Sequence, residues 1–245
     1  MLIKKLILAI NNAIKYFLLL NLFLCACTPI KVDIQSEQEK VIAKVAASAE
    51  AKHYYAYAAT LRNKYLILHP GDYNTMLAMA QDLHKSGDWR KSIFYLDKLV
   101  KHNPTDLNLR VELGDAYLHL GSWQYAFEQY RFVLSKQPNI AAYNGMGVIL
   151  NASKHFQAAN NCFNLALSLR PDDVVTLNNQ ALTNALLGDK KSAITTLNYL
   201  ALIRQDKVFK DNLAMVKKYK NIWYKIFPIS KSLQFNYSCK KTQEV

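Results

Sequence analysis

Large apolar residues return at fixed places along this chain, within a window of about 34 residues. Positions 7, 11, 17, 24 and 27 of each window carry them at helical spacing, so each window predicts two amphipathic helices that share one apolar stripe. Four prolines, Pro70, Pro104, Pro138 and Pro171, mark the same beat at intervals of 34, 34 and 33 residues. With proline at position 32, the units run 73–106, 107–140, 140–173 and 174–207. The short interval reads as one residue missing from the turn after Pro138, with both helices intact.

Small residues hold position 8 or its neighbourhood (Met79-Ala80, Leu113-Gly114, Met146-Gly147, Ala181) and position 20 (Ser92, Ala126, Ala159, Ala193). There they let two antiparallel helices approach closely. Gly87, Gly121 and Gly188 at position 15 can take the left-handed conformation that ends a first helix. Unit 140–173 has Lys154 there, so its turn should differ or carry strain. Proline stops each second helix, and Asp72, Asp106 and Asp173 are N-caps for the next first helix. With Tyr117, Trp123 and Tyr130 in unit 107–140 and Tyr143, Phe156 and Phe163 in the next, the pattern resembles the tetratricopeptide repeat. The resemblance implies an all-α fold: a right-handed superhelical solenoid of antiparallel helix pairs. Such an array presents a curved surface to a partner.

The flanks are weaker. Residues 39–72 read as a degenerate first repeat, with an alanine-rich helical stretch over 41–59 and no glycine at positions 8 or 15. In unit 174–207 Gln205 replaces the proline. Residues 208–227 read as a closing helix with Phe209, Leu213, Val216, Ile222 and Trp223 on one face. Residues 228–245 show no sustained period and read as a flexible tail.

The N-terminus gives an address. Lys4, Lys5 and Lys15 precede an apolar run over 16–24, and no acid appears before Asp33. That layout is a signal peptide over 1–26; a retained span would need about 20 mostly apolar residues. Leu24-Cys25-Ala26-Cys27 resembles a bacterial lipobox. The resemblance implies cleavage before Cys27 and acylation of that cysteine, palmitate included. Thr28, not being an aspartate, implies delivery to the outer membrane, with 27–38 as a tether on the periplasmic side.

Composition narrows the chemistry. The formal net charge is +13, with 31 basic and 18 acidic residues; removal of 1–26 takes away three lysines. Cys162 and Cys239 would remain besides Cys27, and two unpaired thiols are the expectation. The chain carries no metal-protease, phosphate-loop, dinucleotide or serine-nucleophile motif. The six histidines do not cluster at metal spacing, and three lie near helix ends where a solvated role is ordinary. No enzyme activity, cofactor, metal or nucleic-acid partner is expected. Lysines 207, 210, 217, 218, 220 and 225 face only Asp211 in the closing helix, which suits acidic headgroups, an acidic partner or a solvated face.

The repeat register also locates a binding groove, through positions 2, 5, 9, 12 and 13 of the first helices. These include Asn74, Leu77, Gln81 and His84; Val111, Asp115, Leu118 and His119; Asn144, Val148 and Asn151; and Val175, Asn178, Leu182 and Leu186. Position 9 holds Gln81, Asp115, Val148 and Leu182, so the asparagine of carboxylate-clamping repeats is missing. The groove is mixed, with asparagines suited to an extended backbone and apolar members that can pack between repeats.

Residues 142–148 (Ala-Tyr-Asn-Gly-Met-Gly-Val), Asn178-Asn179-x-Ala181-Leu182, the run from Leu187-Gly188-Asp189 to Leu200-Ala201, and Asn212-Leu213-Ala214 carry a further resemblance. With the lipobox, they are similar to the tetratricopeptide lipoproteins of tight-adherence (Flp) pilus assembly, the tight adherence protein D family. The resemblance covers roughly 73–216 and implies an outer-membrane scaffold, its protein partners a secretin or other pilus export components. A pilotin-like lipoprotein of type IV pili and a periplasmic adaptor of a cell-wall enzyme share the same parts.

Overall fold

The computed structural model describes residues 34–226 and Cys239. The chain divides into two units, Met1–Lys44 and Val45–Val245. In the first, 34–44 is helical, with Lys40 paired to Glu37 at 2.8 Å. The signal peptide and Cys27 lie outside the described residues. The expected tether differs at its end, because 34–38 is already helical.

Helix α1 (Ile34–Ala51) runs into the second unit. There follow α2 (Tyr55–Leu68), α3 (Tyr73–Ser86), α4 (Trp89–His102), α5 (Leu107–His119), α6 (Trp123–Leu134), α7 (Ile140–Ala152) and α8 (Phe156–Leu169). The series closes with α9 (Val174–Leu186), α10 (Lys190–Arg204), α11 (Lys207–Lys218) and α12 (Trp223–Ile226). From α3 onward to α11, each helix packs on the one before it. The described residues contain no strand.

Local sequence explains most boundaries. Asp72, Asp106 and Asp173 cap α3, α5 and α9, accepting from the backbone N–H of Thr75 (2.7 Å), Asn108 (2.9 Å) and Thr176 (3.0 Å). Only Asn139 separates Pro138 from α7, and it caps that helix itself through the Ala142 N–H, so the missing residue falls in this turn. Gly87, Gly121 and Gly188 turn at φ of 83°, 70° and 96°. Lys154 adopts the same conformation at φ 64°, so the turn is kept and the side chain bears the strain.

The first pair is more regular than its sequence suggests, because the expected helical stretch over 41–59 is broken at 52–54 by the turn between two helices. Position 8 is the buried Ala46, position 20 the buried Ala58, and position 15 is His53, which turns at φ 62° without a glycine. Arg62 of α2 joins this pair to α3: it pairs with the fully buried Asp82 and, at 2.6 Å, with Glu50. Position 15 tolerates a non-glycine wherever neighbouring packing holds the turn.

The helices meet at glycines. A Cβ on Gly145 would stand 2.4 Å from Tyr130, one on Gly114 2.7 Å from the same ring, and one on Gly147 2.5 Å from Phe163. The Tyr130 ring is therefore wedged between the backbones of α5 and α7, with no exposed surface.

Two expectations at the C-terminal end need correction. The closing helix over 208–227 is two helices, since the chain leaves α11 at Lys218 and resumes at Trp223. The break lets Trp223 dock on α7: its indole N–H donates to the Asn151 carbonyl at 2.9 Å. Cys162 and Cys239 form a disulfide, and both are buried in the cluster around Tyr130 and Phe163. The spacing of 77 residues hid the pairing, because chain return, not local sequence, brings Cys239 to α8. Apart from Cys239, the tail over 228–245 lies outside the described residues.

Gly145→Ala should lower unfolding free energy by about 1–3 kcal/mol, because neither Tyr130 face can yield. Urea unfolding measures it, and Gly71→Ala, where an added methyl meets nothing within 4 Å, is the control.

Candidate functional site

A cleft of about 790 Å³ crosses the first helices of three successive pairs. Asp115 and Leu118 of α5, Asn144 and Val148 of α7, and Val175 and Asn179 of α9 line it, with His119 and Trp123 at one end and Arg170 and Asp173 at another. The 34-residue register puts one inner face of each pair in line, which is why residues about one repeat apart in sequence share a wall.

Of the expected groove residues, Asp115, Leu118, His119, Asn144, Val148 and Val175 line this cleft. Asn74 is exposed, Leu77 is half-buried against the core of α4 and α5, and Val111 packs on the Tyr130 cluster. Gln81 donates to Glu112 at 2.9 Å. Asn151, Asn178 and Leu182 are buried between repeats, at 3%, 7% and 8% exposure. Asn151 donates to Thr183 at 2.7 Å, and Asn178 accepts from Asn212 at 2.8 Å. Asn144, inside the cleft, accepts from Asn179 at 3.1 Å. The amides thus form a ladder from one inner helix to the next, and the repeat spacing of Asn144, Asn178 and Asn212 was its signal in sequence.

The acids have distinct settings. Burial pushes the Asp115 carboxyl up to about 6, with the charge of Glu112 adding to the shift. The Tyr130 hydroxyl donates to it at 2.5 Å and opposes that shift. Glu112 is also raised, chiefly by burial. At the cleft end, Trp89 stacks on His119 with centroids 4.1 Å apart, and His84 meets the same indole edge-on. Burial holds both histidines below their usual value. They are ring-packed, and of the two groove positions expected there His119 lines the cleft. The described residues hold no group of three or more metal-ligating side chains.

Trp123, Asn139, Arg170, Asp173 and Asn179 were not legible as cleft residues, because they lie in turns or one position from the expected register. Trp223 was legible only as apolar. It packs in a cluster with Trp123, Val148, Phe156 and Leu186 and carries Lys154 over its ring at 4.4 Å.

Helix pairs repeating on this register, glycine-turned and capped alike, decide the architecture. The fold is the tetratricopeptide-repeat solenoid. A thermophilic tetratricopeptide-repeat protein of Thermus thermophilus, TTC0263, superposes with a TM-score of 0.60 at 16% identity, over 74% of this chain and 100% of that one. A tetratricopeptide repeat protein from Parabacteroides merdae gives 0.58 at 12% identity, over 78% and 74%. MamA (41-end) from Desulfovibrio magneticus gives 0.57 at 15% identity, over 69% and 96%. No family model matches the sequence, and no curated protein does. At such identities the likeness shows the tetratricopeptide-repeat fold alone.

The Asp115 shift makes a signed prediction. A carboxyl raised above its unfolded value of 3.8 holds an extra proton when folded, so its contribution is largest below that pH and is lost as pH rises to about 6. Asp115→Asn keeps an acceptor for Tyr130 and does not titrate. Its stability relative to wild type should grow by about 2 kcal/mol between pH 4 and pH 7. Denaturant midpoints at the two pH values test this, and a pH-independent difference contradicts it.

Proposed function

We propose that the chain is a non-catalytic scaffold that holds a segment of a protein partner in the cleft across α5, α7 and α9. The observation that carries this reading is the cleft itself: about 790 Å³, open, and lined by apolar and amide side chains with few charges. Such a lining suits an extended segment, whose side chains seat against Leu118, Val148 and Val175 while its backbone meets polar groups. Among the described residues no reacting constellation accompanies it: Asp115 is bonded to a buried tyrosine, and the neighbouring amides are spent on the ladder.

In the finer reading, the scaffold is an outer-membrane lipoprotein anchored at Cys27 on the periplasmic face, assisting assembly of a tight-adherence pilus. The lipobox and the resemblance over 73–216 support that reading, and the Cys162–Cys239 disulfide agrees with an oxidising compartment.

Two measurements test the proposal. Val175→Asp places a charge in the cleft at a side chain that is 54% exposed and takes no part in the amide ladder. Partner recovery from cross-linked cell envelopes should fall roughly tenfold or more, with unchanged thermal unfolding; full recovery sinks the cleft assignment. Secretin and pilus-export proteins in the wild-type sample support the finer reading, whereas a cell-wall hydrolase in their place refutes it. For the anchor, radiolabelled palmitate should label the wild type and not Cys27→Ser; label retained by the variant refutes acylation there.

A further inference from the structure

The positive charge of this protein is concentrated at one end. Residues 34–189 carry 15 lysines and arginines against 14 acids, nearly balanced. Residues 190–226 carry nine against two. Both of those acids are engaged: Asp206 caps α11 through the Val208 N–H at 2.9 Å, and Asp211 pairs with Lys207.

The packing of α11 puts this charge outside. Phe209 and Val216 are buried, with Leu213 against the core, so Lys207, Lys210, Lys217 and Lys218 stand on the exposed face. Just before α11 in the chain, α10 ends in side chains that stay open to solvent. Leu202 is 77% exposed, Tyr199 57% and Ile203 47%, and Val208 in the first turn of α11 is 55% exposed. Exposed aliphatic and aromatic groups over 199–208 thus adjoin, along the chain, a surplus of exposed lysines.

We propose that this α10–α11 face binds the surface of an anionic lipid bilayer. The apolar side chains would enter the boundary between headgroups and acyl chains, and the lysines would sit among the phosphates. The kind of cation favours lipid over an acidic protein. Eight of the nine are lysines, with Arg204 the exception. Lysine is a hydrated point charge on a flexible stem and suits a diffuse charged plane. Fixed carboxylates are better matched by the planar fork of arginine. The proposal is independent of acylation at Cys27 and of the cleft's occupant.

Lysine labelling of the full chain on vesicles tests it. An amine-reactive acetylating reagent is applied on phosphatidylcholine vesicles, and on vesicles in which phosphatidylglycerol is about a third of the lipid. Any attachment through another part of the chain is common to both vesicle types, so only the lysine pattern reports on this face. Acetylation of Lys207, Lys210, Lys217 and Lys218 should slow roughly tenfold on the anionic vesicles, as expected when nine-tenths of the face is covered. Lys101 and Lys136, on other repeats, should not change relative to neutral vesicles. High salt should abolish the slowing, and Lys207→Glu/Lys210→Glu should remove it at Lys217 and Lys218. Equal rates on the two vesicle types, or slowing shared by Lys101 and Lys136, overturns the proposal. Slowing by soluble polyglutamate without slowing by anionic vesicles also overturns it, in favour of an acidic protein.

Discussion

The wedge of Tyr130 between two helix backbones is the contact on which the middle of the array depends. Its ring reaches α5 at Gly114 and α7 at Gly145, at distances that leave no room for a methyl group. Closeness of this kind converts a modest apolar residue count into dense packing, because contact energy falls steeply with a gap of even half an ångström. The hydroxyl of the same ring donates to Asp115, which lines the cleft. Packing and cleft electrostatics are thus set by one side chain. A change that loosened the wedge would also free a raised carboxyl on the inner wall.

The amide ladder is a second consequence of stacking. Corresponding stretches of successive inner helices lie beside one another, so polar residues about one repeat apart in sequence meet. Asn178 reaches Asn212, Asn179 reaches Asn144, and Asn151 reaches Thr183. Buried polar groups need partners, and here the repeat supplies them. These bonds orient each pair on the next, and they remove several amides from the set that a ligand could use.

The C-terminal end departs from the repeat and closes it. α11 is the inner helix of a further unit, with Asn212 in register, but among the described residues no second helix of repeat length answers it. The chain instead breaks after Lys218, sends Trp223 to the Asn151 carbonyl and places Cys239 against Cys162. The disulfide constrains the unfolded chain over a loop of 77 residues. An end without the next repeat is held by one indole and one covalent bond.

The helix pairs over 73–204, their order and their turns were determined by the sequence alone, since caps, left-handed glycines and apolar spacing act within a few residues of one another. Even irregular turns at His53 and Lys154 kept that register. Only the tertiary structure decided which groove amides remain on a surface, that Asp115 is raised, that the closing segment is broken and that two distant cysteines join. Each of those depends on burial or on contact between residues far apart in sequence, from Tyr130 with Asp115 to Cys239 with Cys162. Local pattern places such residues on a face, but distance and desolvation between faces arise only when the stack is assembled.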